Sequence, residues 1–257
     1  IRDRVIDIEL PPIIKFERPS GGSEAIKEAA KLLSNAEFPV ILSGAGVVLA
    51  DAINDCKALA EKLDSPVASG YQHNDSFPGS HPLAVGPLGY NGSKAAMELI
   101  SKADVVLALG TRLNPFSTLP GYGIDYWPKD AAIIQVDINS DRIGLTKKVS
   151  VGICGDAKQV AQQLLNSLSP EAGNKNRDER KALIHQTKSA WLQTLSSMDH
   201  EDDDPGTSWN EEARVRDADR MSPRMAWRAI QNGLPKNAII SSDIGNNCAI
   251  GNAYPTF

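Results

Sequence analysis

The sequence has few cysteines, few aromatic residues and no excess of positive charge. Its three cysteines, Cys56, Cys154 and Cys248, are too few for a disulfide framework and too far apart for a Cys-x-x-Cys metal knuckle. They are expected to be buried, reduced thiols in a cytoplasmic protein. The 27 basic residues are outnumbered by 32 acidic ones, leaving a net charge of −5. No Lys/Arg cluster makes the basic face that a nucleic-acid binder carries. The longest uninterrupted apolar run, Val105-Val-Leu-Ala-Leu109, falls far short of the ~20 residues of a membrane-spanning helix. Nucleic acid and membrane are therefore not expected as partners. The Gly-x-Ser-x-Gly elbow and the His-Glu-x-x-His zinc motif are both missing. His73, His81, His185 and His200 share no ligand spacing and read as surface or loop residues.

What is present is an alternation of helix and strand. Ser23 to Ala36 carries a helical apolar stripe at positions 25, 26, 29, 30, 32 and 33. Pro39-Val-Ile-Leu-Ser43 reads as a buried strand that runs into the tight turn Gly44-Ala-Gly46. Helix is expected over Asp51 to Leu63 and Ser93 to Ala103, and strand over residues 66–69, 104–110, 132–138 and 149–153. Asp156 caps a further helix to Leu168, with Gln159 in the capping-box position. Apolar strands separated by helices call for a parallel sheet with right-handed crossovers. The fold class is thus α/β, an open parallel sheet flanked by helices over residues 20–168, followed by the start of a second α/β domain.

Beyond Ser169 the chain turns polar, supports one helix to about Met198, and passes through the acidic stretch 199–204, which reads as a solvated connector. A helix punctuated by Ser222, Pro223, Gly233 and Pro235 follows, and then a strand over 237–243. The chain opens on Ile1 and stops at Phe257, just after that strand-and-loop unit. The expectation is a part of a longer polypeptide.

In an open α/β sheet, ligands bind at the carboxyl ends of strands. Gly44 and Gly46 follow the first strand, but Leu49 stands where G-x-G-x-x-G has its third glycine. The pair serves either as a ligand-approach turn or as a purely structural one. Gly110, Arg112 and Asp137 end the next strands; they could hold a nucleotide's phosphate and ribose, or pair with one another to order the loops. In Ser242-Asp-Ile-Gly-Asn-Asn247, a glycine and two carboxamides follow a strand, a pattern suited to a phosphate-bearing ligand.

At these residues the sequence resembles thiamine-diphosphate enzymes of the acetolactate-synthase type. Met198-Asp-His-Glu-Asp-Asp-Asp-Pro-Gly206, Ser222-Pro-Arg-Met-Ala-Trp-Arg-Ala-Ile230 and residues 238–255 carry the resemblance. Val5-Ile-Asp-Ile-Glu-Leu-Pro-Pro12 and residues 81–93 support it. Those stretches narrow it to the branch that converts sulfoacetaldehyde and phosphate to acetyl phosphate and sulfite in taurine and sulfonate breakdown. The resemblance implies a linker over 1–19 from a pyrimidine-binding domain, a central domain over 20–168, a helical linker over 169–221, and the opening of a diphosphate-binding domain over 222–257. It also implies thiamine diphosphate and Mg²⁺ as cofactors and a homodimer or homotetramer. Gly245, Asn246 and Asn247 match the loop that approaches the cofactor's diphosphate. Gly44, Gly46, Gly110, Arg112, Asp137 and Asp156 match positions where some relatives bind FAD or ADP, although this reaction has no redox step. The family's activating glutamate and its Gly-Asp-Gly metal motif fall outside residues 1–257. These residues alone are therefore expected to be inactive. An acetolactate synthase acting on pyruvate and a non-catalytic nucleotide-binding module are the alternatives.

Overall fold

The computed structural model describes residues 9–12, 17–197, 223–235, 237–241, 243 and 245–253. Six parallel strands form one sheet in the order β3-β2-β1-β4-β5-β6. The strands are β1 Pro39–Ser43, β2 Val67–Ser69, β3 Ala84–Pro87, β4 Val105–Leu109, β5 Ala132–Asp137 and β6 Val151–Cys154. Every residue of β1 and β4 is buried, which requires cover on both faces and explains their unbroken apolar runs. At the edge, β6 alternates instead, burying Val151 and Ile153 while exposing Gly152 and Cys154.

Helices α1 Ser23–Asn35 and α3 Ile53–Leu63 pack on α5 Ala157–Ser167, and α4 Lys94–Ile100 packs on α6 Arg177–Ser197. From β1 the chain winds outward through β2 and β3, then returns to start β4 at the other side of β1 and winds outward through β5 and β6. The order therefore reverses between β1 and β4, and that crevice is where open α/β sheets take ligands.

Three expectations shift. The chain has a short helix, α2 Ala45–Leu49, directly after β1, and α3 begins only at Ile53 because Asp51 adopts φ 55° and breaks the helix. Strand β3, where no element is expected from the sequence, contains Gly86 and Pro87. It is an edge strand with an irregular register against β2, the one setting where such residues are tolerated. The strand expected over 237–243 is not formed by its described residues, 237–241 and 243. A strand needs a neighbour to satisfy its amides, and Ile239 is instead 97% exposed.

The acidic stretch 199–204, His200, Ser222 and residues 254–257 lie outside the described residues. Helices α7 Pro223–Gly233 and α8 Asn246–Ala253 complete the described chain, and Gly233, expected just past the end, closes α7 as its last residue.

Cysteine burial is mixed: Cys56 is buried, Cys154 exposed and Cys248 half-buried. Burial pushes the Cys56 thiol up to about 12. The structure fastens α6 to the sheet domain with a buried cation. Arg180 is 1% exposed and donates to the carbonyls of Glu37, Leu63, Asp64, Gly173 and Lys175. Arg177 and Lys181 add ion pairs to the Asp64 carboxylate.

Candidate functional site

A cavity of about 520 Å³ opens at the carboxyl ends of β1, β4, β5 and β6. It brings together five of the residues singled out by sequence, namely Gly46, Gly110, Arg112, Asp137 and Asp156. Gly44 lies just behind the wall. Arg18, His73 and Arg142 also line the cavity and were not identified as site residues from sequence. Arg142 follows the strand end at Asp137 and falls under the same strand-end rule. Arg18 arrives from far along the chain and carries no local signal.

The glycines serve the protein's own packing. A Cβ on Gly46 would sit 2.6 Å from the Gly110 Cα, and one on Gly44 would sit 2.6 Å from the Gly110 carbonyl oxygen. The turn after β1 and the end of β4 thus touch backbone to backbone, which gives Gly44-x-Gly46 a structural role. The amides there are also engaged. Gly44 N donates to Leu109 O at 3.1 Å, Gly46 N to Gly110 O at 2.8 Å and Gly110 N to Val136 O at 3.0 Å. A phosphate cradle built from free amides is not what these glycines make.

Asp156 is also occupied. Its Oδ1 accepts from the amides of Lys158 and Gln159 at 3.1 and 3.2 Å, capping α5, and its Oδ2 pairs with Arg18 at 3.0 Å. The reciprocal half of the capping box does not form, because the Asp156 amide donates to Pro19 O at 2.7 Å.

Asp137 is 7% exposed at the end of β5, and its Oδ1 accepts from Asn139 N at 2.9 Å. The loop-ordering Arg112–Asp137 pair is not among the ion pairs of the described residues; Arg112 stands exposed at the rim. Gln135, buried inside β5, donates to Thr111 O and Arg142 O, both at 3.2 Å. It accepts from Gly144 N at 2.9 Å, so a mid-strand amide ties together the two loops that carry Arg112 and Arg142.

His73 is half-buried in the cavity wall. Burial holds its imidazole below the usual value, with Asp75 opposing and Arg112 adding to the shift. His81 lies in the loop before β3, as expected, with its side chain 14% exposed and 3.3 Å from the Glu61 carboxylate. His185 is exposed, as expected. The cavity therefore presents three guanidinium groups, Arg18, Arg112 and Arg142, against the carboxylates of Asp137 and Asp156. This arrangement favours an anionic ligand with a hydroxyl-bearing portion near Asp137.

The second candidate region is the turn into α8. Gly245 has φ 127° and open space where a Cβ would be, so the chain can approach a ligand closely there. Asn246 and Asn247 form the first turn of α8, where helix amides lack intrahelical partners. Among the described residues, no group of three or more His, Cys, Asp or Glu side chains is placed to hold a metal ion.

Comparison with known proteins adds five findings. The family model described as "Thiamine pyrophosphate enzyme, central domain" matches residues 26–164. The chain is 76% identical over 254 residues to a sulfoacetaldehyde acetyltransferase of Roseovarius nubinhibens, covering 99% of this chain and 42% of that protein. It is 68% identical over 254 residues to the sulfoacetaldehyde acetyltransferase of Rhodobacter capsulatus, covering 99% of this chain and 43% of that one. An acetolactate synthase large subunit of Buchnera aphidicola is 29% identical over 240 residues, covering 92% of this chain and 38% of that protein. The fold matches the X-ray structure of a thiamin diphosphate-dependent enzyme isolated from Mycobacterium smegmatis with a TM-score of 0.52 and 24% identity, over 62% of this chain and 30% of that one. The chain spans less than half the length of the sulfoacetaldehyde relatives it matches.

Proposed function

The chain belongs to the thiamine pyrophosphate enzyme family, whose central domain is matched by residues 26–164, and from that premise we propose that it is part of a sulfoacetaldehyde acetyltransferase. The reaction takes sulfoacetaldehyde and phosphate to acetyl phosphate and sulfite. The observation that carries this reading is the identity of 76% and 68% to proteins of that name across nearly the whole chain, against 29% to an acetolactate synthase.

The atoms balance without an outside oxidant. The C–S bond breaks with its electron pair leaving on sulfite, and the neighbouring carbon takes up a proton to become methyl. The aldehyde carbon gives up its hydrogen as a proton, rises to the acyl level and is captured by a phosphate oxygen, which releases its own proton. Thiamine diphosphate, when bound, supplies the electron sink that makes the carbonyl carbon a nucleophilic centre.

This chain's contribution is binding and orientation. Gly245 gives the cofactor's diphosphate close access, and the amides of Asn246 and Asn247 donate to its oxygens at the start of α8. The open Cβ position and φ 127° of Gly245 fit that role. We assign the ligands for Mg²⁺ to residues outside 1–257. The division into linker 1–19, central domain 20–168, linker 169–221 and opening diphosphate domain 222–257 belongs to the same proposal. So do a homodimer or homotetramer and a cytoplasmic location. No described helix is long and apolar enough to cross a membrane.

The 520 Å³ cavity favours a second ligand of the ADP class. Arg18, Arg112 and Arg142 would take the phosphates and Asp137 the ribose, while Gly46 and Gly110 shape the wall and Gly44 backs it. The reaction balances without a flavin. A non-catalytic nucleotide-binding module remains the alternative that the same cavity supports.

The test is phosphate-dependent sulfite release from sulfoacetaldehyde by the complete gene product with thiamine diphosphate and Mg²⁺. Sulfite and acetyl phosphate in equal amounts are expected. Turnover of pyruvate without sulfite assigns the protein to the acetolactate-synthase activity, and ADP binding with no turnover assigns it to the module. The 257 residues alone are expected to release no sulfite.

A further inference from the structure

The turn after β2 meets α8, and the contact is polar and specific. Gln72 N donates to Asn252 Oδ1 at 2.8 Å, and Asn74 Nδ2 donates to Asn252 O at 2.7 Å. Gln72 Nε2 also contacts the Cys248 sulfur. Asn74 is itself held, because its Oδ1 accepts from Ser69 Oγ, at the end of β2, at 3.0 Å. A chain of hydrogen bonds thus runs from the sheet through Asn74 into α8. Asn252 is 4% exposed, and with Oδ1 committed to Gln72 its orientation is fixed.

Gln72 reaches this geometry at φ 64°, a left-handed conformation that a residue with a side chain adopts at a cost. Such a turn persists where its surroundings hold it, and here the group receiving its amide is Asn252. The contact lies at the last turn of α8, while Gly245 and the first-turn amides lie at its beginning. An eight-residue helix is stiff over that length, so fixing its end fixes where its beginning points.

We propose that Gln72 and Asn74 are positioning residues for the cofactor's diphosphate turn and act on it through Asn252. The inference rests on the proposed role of Gly245, Asn246 and Asn247. The central domain, through this clamp, sets the orientation of the α8 amides relative to the diphosphate oxygens.

The experiment uses the complete gene product as apoprotein and titrates thiamine diphosphate with Mg²⁺, following tryptophan fluorescence and confirming by calorimetry. Two variants are compared with wild type. Asn74→Asp keeps the acceptor for Ser69 but removes the donor to Asn252, and Asn252→Leu removes the acceptor for the Gln72 amide. Each is expected to raise the cofactor Kd about tenfold or more, with KM for sulfoacetaldehyde within about twofold at saturating cofactor.

Unchanged Kd in Asn74→Asp, with or without a drop in melting temperature, overturns the proposal, because a purely structural contact would give that result. Should Asn252→Leu fail to fold, Asn74→Asp decides alone. Wild-type protein that binds no thiamine diphosphate overturns the proposed function itself, and the positioning role with it.

Discussion

At the scale of single residues, burial decides what a side chain can do. Arg180 is saturated by five carbonyl oxygens, so removing it leaves buried acceptors without donors. Arg180→Met is expected to cost about 3–4 kcal/mol, read as a lower urea midpoint at unchanged slope. Arg180→Lys rescues little, because one ammonium cannot reach acceptors spread around a planar fork. Cys56 gives a pH prediction. Its folded-state value of about 12 lies above that of an exposed thiol, so the unfolded chain loses its proton first. Its contribution to stability is therefore full below the unfolded value and is lost as pH rises toward 12, at up to about 1.4 kcal/mol per pH unit. Cys56→Ala should flatten the alkaline part of the curve of unfolding free energy against pH. A thiol reagent on the folded protein should modify Cys154 and spare Cys56.

At the scale of elements, the termini of strands and helices carry the chemistry. Asp156 ends the loop after β6 and caps α5. Asp156→Ala is expected to cost about 1–2 kcal/mol by loss of the cap. Asp156→Asn keeps an acceptor for the two amides and loses only the ion pair with Arg18, whose side chain is 52% exposed. That change should cost under about 1 kcal/mol, and thermal melts of the two variants separate cap from ion pair. The close approach of α2 to the end of β4 predicts a larger effect. Gly46→Ala places a methyl 2.6 Å from the Gly110 Cα, and a backbone neighbour cannot step aside as a side chain can. A loss of about 2–3 kcal/mol is expected. The positions of Gly110, Asp137 and Asp156 were legible in the sequence because each ends or follows a local, strongly patterned strand. Strand β3 was not, since Gly86 and Pro87 obey the permissive rules of a sheet edge, and sequence alone does not say which strand is the edge.

At the scale of the whole molecule, the sheet's reversal of order brings distant segments to one cavity. Arg18 precedes the first helix, Arg112 follows β4 and Arg142 follows β5, yet all three line it. Arg112→Ala and Arg142→Ala are expected to weaken ADP binding roughly tenfold each, measured by calorimetry on the complete gene product, with melting temperatures unchanged. Wild-type affinity in both variants would remove the arginines from the proposed nucleotide site. The same long-range assembly brings Gln72 and Asn74 to Asn252, a contact that no sequence spacing announces.

The sequence by itself determined the class of fold, because doubly buried strands must be apolar throughout and the helices between them must be amphipathic. It also determined the family, because long stretches of residues, above all 238–255, match the family's pattern in place. It left the role of the glycines open, and only the tertiary structure decided that Gly44, Gly46 and Gly110 serve one another. The physical reason is that a glycine's requirement is set by whatever stands where its Cβ would be, and here that is backbone from another strand. The described residues of the strand expected over 237–243 do not form it, for the related reason that a strand is completed by its neighbours. Periodicity reports what a segment can form, and partners decide whether it does.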